Sequence, residues 1–506
     1  MTDVQQPHGA RASSGFDDHG LDAEASSDEA YLAQMGYRQE LRRVLGLFSS
    51  FSIAFTGIAV AGGVFLVFGY GITTIGPALA LAWAVGGLMQ CVVGWSVAEA
   101  VSAYPLAGGA YQIIKRLANL RLAWQVGWVL FMAHLAALAG EAVGLFPFIA
   151  GWVGIDSLSQ TGTILGGALL IALATFINVV GVWIAAYVNN LGVGAELVAF
   201  STVIVALLVV LIVGSHDFHG PRFLTEDGGV VGLNQSAVLP FLYALLVPAF
   251  VISGFDVSGT AGEETTNAAR TVPRGMMTAN VSAYLYGLVG IALLVLAIQN
   301  LPGTLASTAP VTYILSDALG GFIGKTFEVL AVVALLVNMV ILQLTAARIL
   351  WAQALDGQAP FARQLTRLNA NQIPVATTLI AAVLGVAFTL WSSLLTVLIA
   401  MTAVLWASAY GVLVAVIHVA HRQGRLPERP WRNRHWKIID TAAFLWSGLL
   451  VVVLIRQDWQ KVGLGLLGVV VIGLIIYFLC IPTSRRDRVP DLAADGLARS
   501  APAIGG

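Results

Sequence analysis

Charge is what this sequence has least of. Asp, Glu, Lys and Arg make up 10% of its 506 residues, while 58% are hydrophobic; a soluble domain carries roughly 25% charge. That scarcity excludes one large soluble globule and points to a polytopic membrane protein. Cysteine is nearly missing. Cys91 and Cys480 sit in apolar segments, form no disulfide framework or metal site, and read as small buried hydrophobes. The eight histidines are scattered, and there is no HExxH, phosphate loop or CxxC pair, so a membrane-embedded enzyme lacks its usual equipment. The repeated filter or charged ring of a channel is also missing. The expectation is a protein that is not an enzyme and that needs no cofactor, metal or nucleic acid.

What the chain has in abundance is apolar sequence. It divides into twelve segments between residues 47 and 482, each able to cross roughly 30 Å of hydrocarbon at about 1.5 Å per residue. Residues 1–36 are polar, lack an apolar core or cleavage pattern, and read as a disordered tail rather than a signal peptide. Two five-segment blocks follow, at 37–215 and 237–418. A basic loop at 419–439, a last pair of segments at 440–482 and a tail at 483–506 complete the chain. Arg38, Arg42, Arg43, Lys115, Arg116, Arg363, Arg367, Arg425, Arg429 and Arg432 all fall on one side if the N-terminus is cytoplasmic. The positive-inside rule therefore predicts that both termini are cytoplasmic. The first segment of one block starts inside and that of the other starts outside, so the blocks are expected to be inverted copies.

Those two leading segments are the ones that break. The run from Val238 to Ile252 is interrupted by Ser253, Gly254, Asp256, Ser258 and Gly259, and the first segment by Thr56, Gly57, Gly62 and Gly63. Helix-weakening residues and a carboxylate at membrane depth are costly unless they line a cavity, and matched breaks in corresponding halves point to a transport site. Half-helix N-termini suit a carboxylate; half-helix C-termini and loose carbonyls suit an ammonium group. A zwitterion needs both. The competing reading is that these glycines only allow close helix packing.

Three sequence blocks resemble the amino acid–polyamine–organocation superfamily of transporters. AEAVSAYPLAGGAYQ (98–112) is similar to its signature after the second helix. SGFDVSGTAGEETTNAARTVPRG is similar to its sixth-helix motif, and AARILWAQALDGQAPFARQLTRLNANQIPV (346–375) to the loop after its eighth helix. The flavour is that of the amino acid/choline branch. The resemblance implies an all-α membrane protein with the inverted-repeat fold of the bacterial leucine transporter type: broken helices 1 and 6, two extra helices, and alternating access. It implies a permease for an amino acid or a small amine derivative such as 4-aminobutyrate, with an exchanger, a choline or polyamine carrier, or a nutrient sensor as alternatives. The coupling ion implied is a proton, with sodium left open. Two departures stand out. The first-helix signature is softened to Ala61, Gly62, Gly63, Val64 and Phe65, and in YVNNLGVGAEL (187–197) the position of a familiar lysine holds Glu196.

Candidate substrate contacts are Gly57, Ile58, Ala61, Gly62 and Gly63 for a carboxylate, and Ile252, Ser253 and Gly254 for an amine. Phe250 and Phe255 are candidate gates, and Asp256 either binds an amine or steadies the unwound segment. Glu196 is a candidate proton or cation residue, or else a structural acid. His134 and Glu141, seven apart and so two turns along one face, either line the path or hydrogen-bond each other or a neighbour. Glu263, Glu264 and Arg270 are expected at an inner gate or loop anchor. Trp391, Trp406 and Tyr410 are candidates for a cage around a quaternary ammonium, against the commoner role of interfacial anchors.

Overall fold

The computed structural model describes residues 45–481 apart from 107, 156, 181, 215–216, 233–235, 370–372 and 392–393, with the backbone alone over 182–191. The predicted tails at 1–36 and 483–506 lie outside the described residues. The described chain is helical, with one isolated bridge between Leu45 and Thr265. In order, its main helices are α1 (Leu47–Ile58), α2 (Val60–Ile75), α3 (Leu79–Ala103), α4 (Ala110–Leu117), α5 (Leu120–Trp152), α6 (Gln160–Val180) and α7 (Val182–Val213). They continue with α8 (Val238–Val251), α9 (Val257–Thr260), α10 (Ala268–Leu296), α11 (Pro310–Leu319) and α12 (Gly321–Leu355). The last four are α13 (Val375–Trp391), α14 (Leu395–Arg422), α15 (Trp436–Gln457) and α16 (Trp459–Cys480). Among the described residues, nine helical stretches are long and apolar enough to cross a membrane. The first of these, Leu47–Ala103, contains α1 to α3; α8 and α13 are shorter apolar helices. The protein is a multi-pass membrane protein.

Burial sorts the helices into an inner and an outer set. α1, α2, α3, α5, α12 and α14 are mostly buried, whereas α6, the second half of α7, α15 and α16 leave much of their apolar surface exposed. α6 shows why. Leu165, Leu169, Leu173 and Phe176 recur at helical spacing and are exposed, while Gly166, Leu170, Ala174 and Asn178 form the opposite, buried stripe. An exposed apolar stripe of this kind is what a lipid-facing helix presents. The buried stripe is pinned to α12: Asn178 Nδ2 donates to Val340 O and Gln343 Oε1 at 3.0 Å each, and Gln343 Nε2 to Thr175 Oγ1 at 2.7 Å. α10, half buried, packs on α3 and α1, and within the inner set α12 and α14 both pack on α5.

Candidate functional site

The break in the first segment is not made by a glycine. Ala59 turns the chain with φ 50° and ψ 61°, a left-handed conformation that is uncommon and costly for alanine. Gly62 and Gly63 are instead helical positions in α2, packed against Leu335 and Val251. The second break lies as expected between α8 and α9, with Gly254 at φ 77°. Gly57 has a different task. A Cβ built on it would lie 2.8 Å from Gly254 O, and one on Gly254 would lie 2.7 Å from Gly57 O. The two breaks therefore meet backbone to backbone.

α8 ends under restraint. Ser253 Oγ donates to Ala249 O at 2.6 Å, and Gln90 Nε2 of α3 donates to Ala249 O at 3.1 Å and to Ser253 Oγ at 3.2 Å. Tyr410 of α14 then bridges the unwound segment. Its hydroxyl accepts from the Gly254 N–H at 3.3 Å and donates to Asp256 Oδ1 at 2.6 Å, while its ring stacks on Phe255 with centroids 5.0 Å apart. Asp256 is thus held by a hydroxyl from α14. Phe250 is buried nearby in α8.

Four buried polar atoms around this junction have no hydrogen-bond partner: Thr56 Oγ1, Ser258 Oγ, His134 Nε2 and Trp406 Nε1. Trp406 approaches within 3.6 Å of the Gly254 Cβ position, and its ring meets that of His134 edge-on at 5.4 Å. Buried polar groups normally find partners, so this cluster is a ready set of donors and acceptors for a small polar ligand. Glu196 reaches the same junction from α7, accepting the Ala61 N–H at 2.9 Å. His134 and Glu141 do not bond each other: His134 Nδ1 lies 2.7 Å from Leu130 O, and Glu141 Oε1 accepts from Asn338 Nδ2 at 2.7 Å.

Other expected groupings come apart. Trp406 and Tyr410 flank the break, but Trp391 lies elsewhere, beside Phe388 on an apolar cavity of about 440 Å³ between α5, α13, α14 and α16. No three-ring cage forms. At the end of the bundle bearing the basic loop, Glu264 pairs with Arg348 at 3.2 Å rather than with Arg270, which lines a small pocket with Arg274, Pro430 and Trp431. Glu263 is buried beside Glu264. The Glu264 backbone accepts the Leu45 N–H at 3.0 Å, tying the start of α1 to this segment. Sequence reasoning missed Asn338, Arg348, Gln90 and the bridging hydroxyl of Tyr410. A polar residue inside an apolar run was the available signal for Asn338 and Gln90; nothing local named their partners. Among the described residues, no group of three or more His, Cys, Asp or Glu is placed to hold a metal.

Two broken helices touching at glycine backbones inside an apolar bundle, with unpartnered polar atoms around them, are the construction of a membrane carrier. Residues 45–493 match the amino acid permease family, and the chain belongs to it. It is 26% identical over 399 residues to the amino-acid permease BAT1 of Arabidopsis thaliana, covering 72% of this chain and 75% of that one. It is 25% identical over 346 residues to the branched-chain amino acid permease BcaP of Bacillus subtilis (65% and 70% covered). It is also 25% identical over 284 residues to a putative polyamine transporter of Candida albicans (53% and 50% covered). The protein is therefore a transporter rather than an enzyme.

Proposed function

We propose that this protein is a secondary carrier that imports an amino acid, or a small amine derivative of the 4-aminobutyrate type, across the cytoplasmic membrane by alternating access, coupled to a proton. The observation that carries the reading is the contact of the two helix breaks at Gly57 and Gly254. Beside it, Gly63 in the first turn of α2 packs on Val251 at the C-terminal end of α8, setting partial positive against partial negative charge, which suits the two ends of a zwitterion. The substrate carboxylate goes to the first-turn N–H groups of α2, and the amine to the carbonyls around Ile252–Gly254, walled by Phe255, Trp406 and Tyr410. The chain crosses the membrane twelve times, as two inverted five-helix repeats plus α15 and α16, with both termini in the cytoplasm. Glu264–Arg348 belongs to the inner gate.

The relatives' names support amino acids as the substrate class. A cationic substrate is the second reading, favoured by three buried acids, Glu141, Glu196 and Asp256, around one junction. Uptake into proteoliposomes under an imposed pH gradient tests both, with labelled neutral and basic amino acids, 4-aminobutyrate, polyamines and choline. Accumulation that collapses with a proton ionophore is the expected result. Uptake that needs internal substrate and no gradient would make the protein an exchanger.

A further inference from the structure

The first turn of α2 offers N–H groups to an anion, and one of them is already taken. Ala61 N–H is given to Glu196 Oε1, while Ala59, the residue before the helix, supplies no side-chain cap. The cap comes from α7, 135 positions along the chain. Glu196 lies within electrostatic reach of a second acid, Glu141 of α5. Glu141 Oε2 and its neighbour's Asn338 Oδ1 are buried without partners, in side chains each 3% exposed. While Glu141 is ionised both orphans are acceptors, so the ionised cluster is short of a donor rather than of an acceptor.

No fixed cation among the described residues relieves it. α1, α2, α6 and α13 carry no Asp, Glu, Lys, Arg or His. On α12, Lys325 pairs with Glu328 and Arg348 with Glu264. On α10, Arg270 and Arg274 are exposed. α11 carries Asp317, and α16 carries Lys461. On α5, Arg121 is at the exposed start and His134 faces Trp406. Lys115 of α4 is paired with Asp356, next to Arg116, and His418 and His421 of α14 lie near Asp440 with Arg422 just beyond.

We propose that Glu196 is a tethered stand-in for the substrate's carboxylate, holding the α2 N-terminus in the empty carrier and yielding it to an incoming amino acid by taking up a proton. This rests on the reading of the protein as an amino acid carrier. A substrate carboxylate arriving beside an ionised Glu196 would place like charges at one helix terminus, in a desolvated site whose walls supply no fixed cation, which protein interiors do not tolerate. One proton therefore enters from the outer solution with each substrate and resides on Glu196. When the substrate leaves to the cytosol, the proton leaves with it and the Glu196 carboxylate returns to Ala61 N–H. Coupling follows from competition for one half-helix terminus, with no ion site separate from the substrate site.

Proton uptake on binding tests this directly. The full chain in detergent micelles is titrated with the common amino acids and 4-aminobutyrate at alkaline pH, in buffers of different ionisation enthalpy. The expected result is uptake of about one proton per bound amino acid, with affinity falling about tenfold per pH unit in the alkaline range. Glu196→Gln keeps an acceptor for Ala61 N–H without the charge; it is expected to bind with no proton uptake and a flat pH profile. Wild-type binding without proton uptake, or uptake undiminished in Glu196→Gln, overturns the exchange and leaves the carrier reading standing. Failure of every compound to bind removes the carrier reading and this inference with it. The wild-type titration decides the matter even if the variant does not fold.

Discussion

At the residue scale, the junction depends on what is missing from Gly57 and Gly254. Each glycine's absent side chain is the space that the other's carbonyl occupies, so Gly57→Ala must push the two breaks apart. We expect normal insertion but a loss of uptake of about tenfold or more, since small misplacements at a transport site are as damaging as those at a catalytic one; uptake at matched membrane abundance checks it. Tyr410→Phe probes the bridge. It keeps the ring stacked on Phe255 and removes the hydroxyl that serves Gly254 and Asp256. Leaving the buried Asp256 carboxylate without that donor is expected to cost about 1–3 kcal/mol, read as a lower unfolding midpoint in micelles. An unchanged midpoint would mean that Asp256 finds another partner. The same scale shows why the break was legible and its position was not. Gly57, Gly62 and Gly63 flagged the first segment, yet the left-handed residue is Ala59. Local propensity disfavours alanine there; the surrounding contacts override it.

At the element scale, the loop between α14 and α15 is a clasp rather than a free basic stretch. Arg429 reaches back to Glu99 at the end of α3, with its Nε 2.8 Å from Oε1 and its Nη2 on the same oxygen. His421 of α14 sits between Glu99 (3.2 Å) and Asp440 of α15 (3.3 Å), stacked on Trp436, and Ser96 donates to Asp440 at 2.7 Å. Removing one partner of a buried ion pair strands the other, at about 3–5 kcal/mol. Arg429→Ala is accordingly expected to lower the unfolding midpoint markedly, whereas Arg432→Ala, in an exposed pair with Glu428, should change it little. Equal effects of the two would refute the clasp. The basic character of this loop was plain in the sequence as a sidedness signal. That one of its arginines is committed to a carboxylate 330 positions away was not.

For the whole molecule, topology is the property most open to direct test. Arg222 and Arg432 are exposed, in loops that the twelve-pass arrangement puts on opposite sides. In a chain lacking Cys480, a membrane-impermeant thiol reagent should label Arg222→Cys in intact cells and Arg432→Cys only after permeabilisation. Cys91 is buried and should stay silent. Labelling of both from one side would refute the arrangement. The outer helices α6, α15 and α16 bear the exposed apolar surface, so the inner set is free to carry polar residues that a lipid-facing helix could not hold.

Composition and hydropathy by themselves determined that this is a helical membrane protein. The sequence blocks around 98–112, 253–275 and 346–375 carried its family, because those signals are local and repeat over many residues. Spacing alone also marked the two segments that break. Tertiary structure alone decided that the breaks touch, that Glu196 caps α2, that Glu141 takes Asn338 rather than His134, and that Trp391 stands apart from Trp406 and Tyr410. Each of these is a meeting of side chains or backbones from distant segments. Inside a bundle with little water, a polar group's partner is set by which helix faces are packed together, a property of the assembled helices and not of any one of them.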